Sequence, residues 1–86
     1  MTFYVYILQC TNGSYYTGYT KDIEKRMQQH QKGKGARYTK AHQPQRVAYS
    51  ELFNTRSAAM KREREIKKLS HQQKTILIIE HDKINK

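Results

Sequence analysis

Five of the seven tyrosines lie between Tyr4 and Tyr19, as Tyr4, Tyr6, Tyr15, Tyr16 and Tyr19. A small core would more often use Val, Ile or Phe, because each buried phenol needs a hydrogen-bond partner. Arg26 and His30 follow at i, i+4 spacing, which sets a guanidinium beside an imidazole on one helix. Far down the chain, Glu63 projects between Ala59 and Ile66, inside an apolar stripe that also holds Ala58, Met60 and Leu69. Glu65 points away with the solvated basic residues. A carboxylate aimed at a core is costly unless a metal ion or an arginine compensates it. Phenols, a cationic helix and a misplaced acid are therefore candidates for one polar site. Taken singly, each has a plainer role. Either tyrosine can be strand packing, Arg26 a surface cation, and His30 a favourable charge at a helix C-terminus. Glu63 can be an edge residue paired with Arg62 or Lys67. The ordered set carries the weight, not any one member.

Two strands and three helices must bring these groups together, with a third strand completing a sheet. Residues 3–10 are β-branched and aromatic without a breaker, and Asn12-Gly13 marks a hairpin returning through residues 14–19. The turn decides whether the phenols meet. A two-residue loop at Asn12-Gly13 pairs odd with even positions and sends Tyr6 and Tyr16 to opposite faces. A three-residue loop, Thr11 to Gly13 with Gly13 left-handed as a bulge, sets Tyr16 opposite Leu8 and diagonal to Tyr6 on one face. A shared site requires the bulged loop. Asp22 is a good N-cap or first-turn acid for the first helix, whose apolar pair is Ile23 and Met27, and the glycines of Lys32-Gly33-Lys34-Gly35 end it. An irregular basic segment follows from residue 33 to 44. Residues 45–53 read as the third strand, with Val47, Tyr49 and Phe53 on one face. Asn54 or Thr55 caps a second helix over about 56–69, and Ser70-His71-Gln72-Gln73 is a capping box opening a third through Ile79. Residues 80–86 read as a frayed polar tail. There are no internal repeats and no dividing linker.

Charge and composition bound the function. The 86 residues make one small domain with a modest core, and 36% are hydrophobic. A net charge of +10, from 17 Lys and Arg against 7 Asp and Glu, attracts polyanions, of which nucleic acid is the commonest. Lys21, Lys32, Lys34, Arg37 and Lys40 are the candidate backbone-binding cations. A single cysteine, Cys10, excludes an intramolecular disulfide and a multi-cysteine zinc site. The longest apolar run, Ile76-Leu77-Ile78-Ile79, is too short to span a membrane, and no charged-then-apolar leader is present. The expected location is the cytoplasm.

In order and spacing the motifs resemble the GIY-YIG nuclease superfamily, especially its small stand-alone bacterial members, over about residues 2–79. Tyr4-Val5-Tyr6 stands for the first motif, with Tyr4 in place of glycine, and Tyr16-Thr17-Gly18 for the second. Arg26, His30 and Glu63 follow in the family's order. The resemblance implies an α+β fold, a small three-stranded antiparallel sheet flanked by about three helices. It further implies hydrolysis of DNA phosphodiester bonds with one divalent cation, usually Mg²⁺, in a structure-selective role in DNA repair or processing. Carried over, Tyr6 orients or helps deprotonate the attacking water, and Tyr16 binds a phosphate oxygen or shares that role. Arg26 neutralises charge on the phosphate, His30 supports proton transfer or positions Tyr6, and Glu63 holds the metal. A phenol of pKa near ~10 needs cations nearby to act at neutral pH. Some catalytic members carry a lysine where this chain has Tyr19, and Lys21 is the nearest substitute. The chain reads as ending soon after the third helix, which leaves specificity to a protein partner. The competing expectation is a non-catalytic or partner-dependent nucleic-acid-binding protein.

Overall fold

A computed structural model of the chain describes residues 2–33 and 42–84. Lys34, Arg37 and Lys40 lie outside the described residues. The element order is β1 (Phe3–Cys10), β2 (Tyr15–Thr20), α1 (Ile23–Gln31), β3 (Pro44–Phe53), α2 (Arg56–Lys67) and α3 (His71–Ile84). The strands form one antiparallel sheet of order β2-β1-β3, so the chain folds as the expected α+β architecture.

The hairpin takes the bulged form. The Gly13 amide donates to the Cys10 carbonyl at 2.9 Å and the Cys10 amide to the Ser14 carbonyl at 2.8 Å, with Gly13 at φ +85°. Glycine suits this left-handed position because it has no Cβ to clash. Asn12 Oδ1 braces the turn by accepting from the amide and hydroxyl of Ser14 at 3.1 and 2.6 Å. Even residues thus pair with even: Leu8 with Tyr16, Tyr6 with Gly18, Tyr4 with Thr20. The two faces of the sheet diverge from that register. Phe3, Val5 and Ile7 pack with Ala59, Ile66 and Ile78, which places α2 and α3 on the odd face of β1. Tyr6 and Tyr16 meet His30 of α1 on the even face.

The third strand departs from simple alternation. Ile7 pairs with Tyr49 but Leu8 with Val47, so Ala48 is an extra residue between them. This bulge sends Val47 to the face of Leu8, while Tyr49 and Phe53 stay with Ile7 and Phe3. The expectation that Val47, Tyr49 and Phe53 share a face is therefore corrected: Val47 lies opposite the other two.

Each helix starts at a side-chain cap. Asp22 Oδ1 accepts from the Lys25 amide at 3.1 Å, and Thr55 Oγ1 from the Ala58 amide at 3.2 Å. At α3 the box is reciprocal: Ser70 Oγ accepts from the Gln73 amide at 3.1 Å and Gln73 Oε1 from the Ser70 amide at 2.9 Å. Two helix ends differ from expectation. The second ends at Lys67, short of Leu69, while the third continues through Asp82 to Ile84. Buried Ile78 anchors that longer helix to the core.

Candidate active site

Gly18 is where the site begins. Tyr6 is directly opposite it across the β1–β2 pair, and the Tyr6 ring lies over the β2 backbone. A Cβ at Gly18 would fall 2.7 Å from the Tyr6 phenolic oxygen, 2.9 Å from its Cζ and 3.2 Å from Tyr16 Cε1. Close approach, not backbone conformation, thus demands glycine here. Since β2 is an edge strand, the phenol reaches the rim of the sheet, where a cleft of about 660 Å³ opens. Tyr6, Tyr16, Tyr19, Lys25, Arg26 and Glu63 are among its lining residues.

Three rings pack against one another at tilted and edge-on angles, Tyr6 and Tyr16 at the cleft and His30 behind them. The centroids of Tyr6 and Tyr16 are 6.4 Å apart, those of Tyr6 and His30 6.1 Å, and those of Tyr16 and His30 5.0 Å. His30 is fully buried and forms a hydrogen bond between Nε2 and the Tyr6 hydroxyl at 3.1 Å. It stands behind Tyr6 instead of lining the cleft. Burial, helped by the charge of Arg26, lowers the His30 pKa to about 4, so the ring is neutral near pH 7. A neutral imidazole has one nitrogen free to accept, and Nε2 faces a phenol that can donate. Burial pushes the Tyr6 pKa up to about 12, against the opposing pull of its hydrogen bond to the Arg26 guanidinium. Tyr6 is consequently a neutral phenol at rest, held between a cation and a neutral base.

Arg26 is half-buried one helical turn before His30, and its Nη1 donates to Gln29 Oε1 at 3.0 Å. Gln29 also lines the cleft. The helix spacing that aligns Arg26 with His30 is the one anticipated from their i, i+4 separation. Glu63 comes from α2, between fully buried Ala59 and Ile66, and its side chain is only 16% exposed. Lys67 Nζ lies 3.5 Å from its carboxylate. The edge ion pair and the inward-facing acid, alternatives on sequence grounds, are thus both present. Arg62, the other expected partner, is bound to Glu51 at 3.1 Å and Glu65 at 3.3 Å, tying α2 to β3.

Among the described residues no group of three His, Cys, Asp or Glu side chains could hold a metal ion. A single carboxylate beside open polar space fits an ion that keeps most of its shell as water and phosphate oxygens. It does not fit a protein-enclosed zinc or calcium cage. Of the expected cations, Lys21 lines the cleft, while Lys32 caps α1 in an exposed position away from the lining. Tyr19, Lys25 and Gln29 line it without having been anticipated. The last two could have been found, since Lys25 and Gln29 are i, i+4 neighbours beside Arg26. In sequence, position 19 is marked only as a departure from the family's pattern, a tyrosine where some catalytic members carry lysine, and the fold places it in the lining.

The family model described as the GIY-YIG catalytic domain matches residues 2–76. The chain belongs to the GIY-YIG family. Within that family it is 54% identical over 77 residues to a UPF0213 protein of Staphylococcus saprophyticus, covering 90% of this chain and 94% of that one. A UPF0213 protein of Staphylococcus aureus is 48% identical over the same length and coverage. Among solved structures it resembles the solution NMR structure of a UPF0213 protein from Bacillus halodurans at 45% identity and TM-score 0.58, covering 91% of this chain and 83% of that chain. A second NMR structure, of a protein from E. faecalis, is similar at 42% identity and TM-score 0.60, covering 86% and 79%. The small bacterial GIY-YIG proteins expected from the motifs are thus this chain's relatives. No helix among the described residues is long and apolar enough to cross a membrane.

Proposed function

We propose that this protein is a metal-dependent endonuclease that hydrolyses DNA phosphodiester bonds, with a preference for branched or distorted DNA. One observation carries the proposal: Tyr6, Tyr16, Arg26 and Glu63, from four different elements, line one cleft, with His30 bonded to Tyr6 behind it.

Each residue takes a role that its surroundings suit. Tyr6 accepts a hydrogen bond from the attacking water and orients it, with its own proton held towards Nε2 of His30. The water's proton leaves to solvent through the open cleft as the bond to phosphorus forms. A Tyr6 pKa of about 12 and a His30 pKa of about 4 keep the shared proton on the phenol, so His30 acts by fixing where the phenol points. Tyr16 donates a hydrogen bond to a phosphate oxygen. Arg26, oriented by Gln29, neutralises the charge that grows on the phosphate. Glu63 would hold a single divalent cation, Mg²⁺ by preference, which when bound supplies charge neutralisation at the phosphate and the leaving oxygen. Lys67 competes for the same carboxylate, so cation binding and loosening of that ion pair go together.

The test is a cleavage panel of flap, junction and linear DNA with Mg²⁺. Wild type should nick at least one branched substrate, and Glu63→Ala should lower the rate by roughly two orders of magnitude or more. Cutting that persists in the folded variant would overturn the assignment.

A second reading is favoured by the Lys67–Glu63 ion pair at 3.5 Å, which leaves the acid neutralised without a metal. The protein would then bind nucleic acid without cutting it, alone or with a partner that supplies specificity. Salt-sensitive binding with no cleavage across all substrates and metals would favour this alternative.

A further inference from the structure

Tyr19, which lines the cleft, is paired with Arg56, which lies beside the cleft and not in its lining, and the proposed chemistry uses neither. Tyr19 pairs with Val5, so it leaves β2 on the face opposite Tyr6 and packs against the core, yet it also lines the cleft. Its phenolic oxygen accepts from Nε of Arg56 at 3.2 Å, and the guanidinium carbon lies 6.0 Å from its ring centroid. Arg56 is exposed, so burial does not compel this arrangement.

The charge of Arg56 is positioned but not neutralised. Among the described residues no carboxylate forms an ion pair with it, whereas Arg62 is engaged by Glu51 and Glu65, and Lys67 by Glu63. With Nε committed to a neutral phenol, both terminal amino groups remain to present a fork, the geometry that suits a phosphate. The phenol, having accepted, still has its own proton to donate. Lys21 and Lys25 supply positive charge from other parts of the same lining.

We propose that Tyr19 and Arg56 form a subsite for a non-scissile phosphate of the DNA strand. It holds the backbone against β2 while a nearby linkage lies over Tyr6, Tyr16 and Arg26. The inference rests on the nucleic-acid reading of the cleft. It makes Arg56 a residue of affinity and register, with no part in bond breaking.

The experiment measures binding of a labelled DNA flap in EDTA, so that no strand is cut, across a range of salt concentrations. Arg56→Ala and Tyr19→Phe are the variants, because one side chain is exposed and the other keeps its packing ring. Arg56→Ala should weaken binding and reduce the slope of log K against log[salt] by about 0.9, the loss of one phosphate contact. Tyr19→Phe should weaken binding several-fold with the slope nearly kept. Probes carrying one neutral methylphosphonate linkage at successive positions then locate the phosphate. At a single linkage, neutralisation should abolish the difference between wild type and Arg56→Ala. An unchanged slope in Arg56→Ala, or a penalty that no single linkage removes, overturns the subsite while leaving the nuclease assignment intact. Failure of wild type to bind DNA in a salt-dependent way overturns both.

Discussion

Gly18 shows how one residue can be set by a neighbour's side chain. Its hydrogen occupies space that any larger substituent would take from the Tyr6 phenol, since a Cβ would meet the phenolic oxygen at 2.7 Å. Gly18→Ala must displace Tyr6 and with it the bond to His30 at 3.1 Å. Overpacking of this kind costs about 1–3 kcal/mol. Urea denaturation should show that loss, and DNA cleavage should fall by more than the fraction of molecules unfolded. A variant as stable and active as wild type would show that Tyr6 has another place to go. The same scale separates tyrosines that look alike in sequence. Tyr6 and Tyr16 face the cleft, whereas Tyr15 stacks on His71 at 4.4 Å and bonds Thr75 at 2.8 Å, a packing role.

At the scale of elements, α3 is the brace that keeps the hairpin in place. His71 Nε2 donates to the Gly13 carbonyl at 2.8 Å, and the Tyr15–Thr75 bond adds a second attachment one turn later. Both depend on a properly started helix, which the Ser70–Gln73 box provides. Ser70→Ala should lower global stability by about 1 kcal/mol, the usual cost of a lost N-cap. Hydrogen exchange should report faster amides in the first turn of α3 while those of α1 keep their protection. Loss of protection in α1 instead would mean that α3 braces more than the hairpin. Much of this layer was legible beforehand: Asp22, Thr55 and Ser70 are capping residues by type, and Gly13 is where a bulged turn needs a left-handed residue. The Ala48 bulge was not. Nothing about Ala48 between Val47 and Tyr49 signals an extra residue, because the bulge answers the register with β1.

At the scale of the molecule, the site and the stability are linked through a buried histidine. His30 sits at a pKa of about 4, against 6.5 for a free imidazole. The unfolded chain therefore binds the proton more readily than the native one between those values. Stability from keeping His30 neutral is fully present above pH 6.5 and is lost as the pH falls towards 4. Urea midpoints measured across that window should decline with acid, and His30→Gln should flatten the decline even if its stability at neutral pH is lower. An equal slope in the variant would place the acid sensitivity elsewhere in this chain of net charge +10. The charge itself argues for a polyanionic partner at this scale, since repulsion among surface cations is relieved by phosphates.

The sequence by itself determined the helix starts and marked Tyr6, Tyr16, Arg26, His30 and Glu63 as an ordered candidate set, while the fold class was what the family resemblance implied. Helix starts follow from local rules of side-chain capping and periodicity, whereas Asn12-Gly13 allowed two loop lengths and the β1–β2 register decided between them. Only the tertiary structure decided that His30 lies behind Tyr6, that Lys67 accompanies Glu63, that Val47 changes face, and that Arg56 bonds the cleft residue Tyr19. Those outcomes depend on how elements distant in the chain close against one another. Burial and pairing are properties of that closure, and a linear pattern records only what each segment can offer to it.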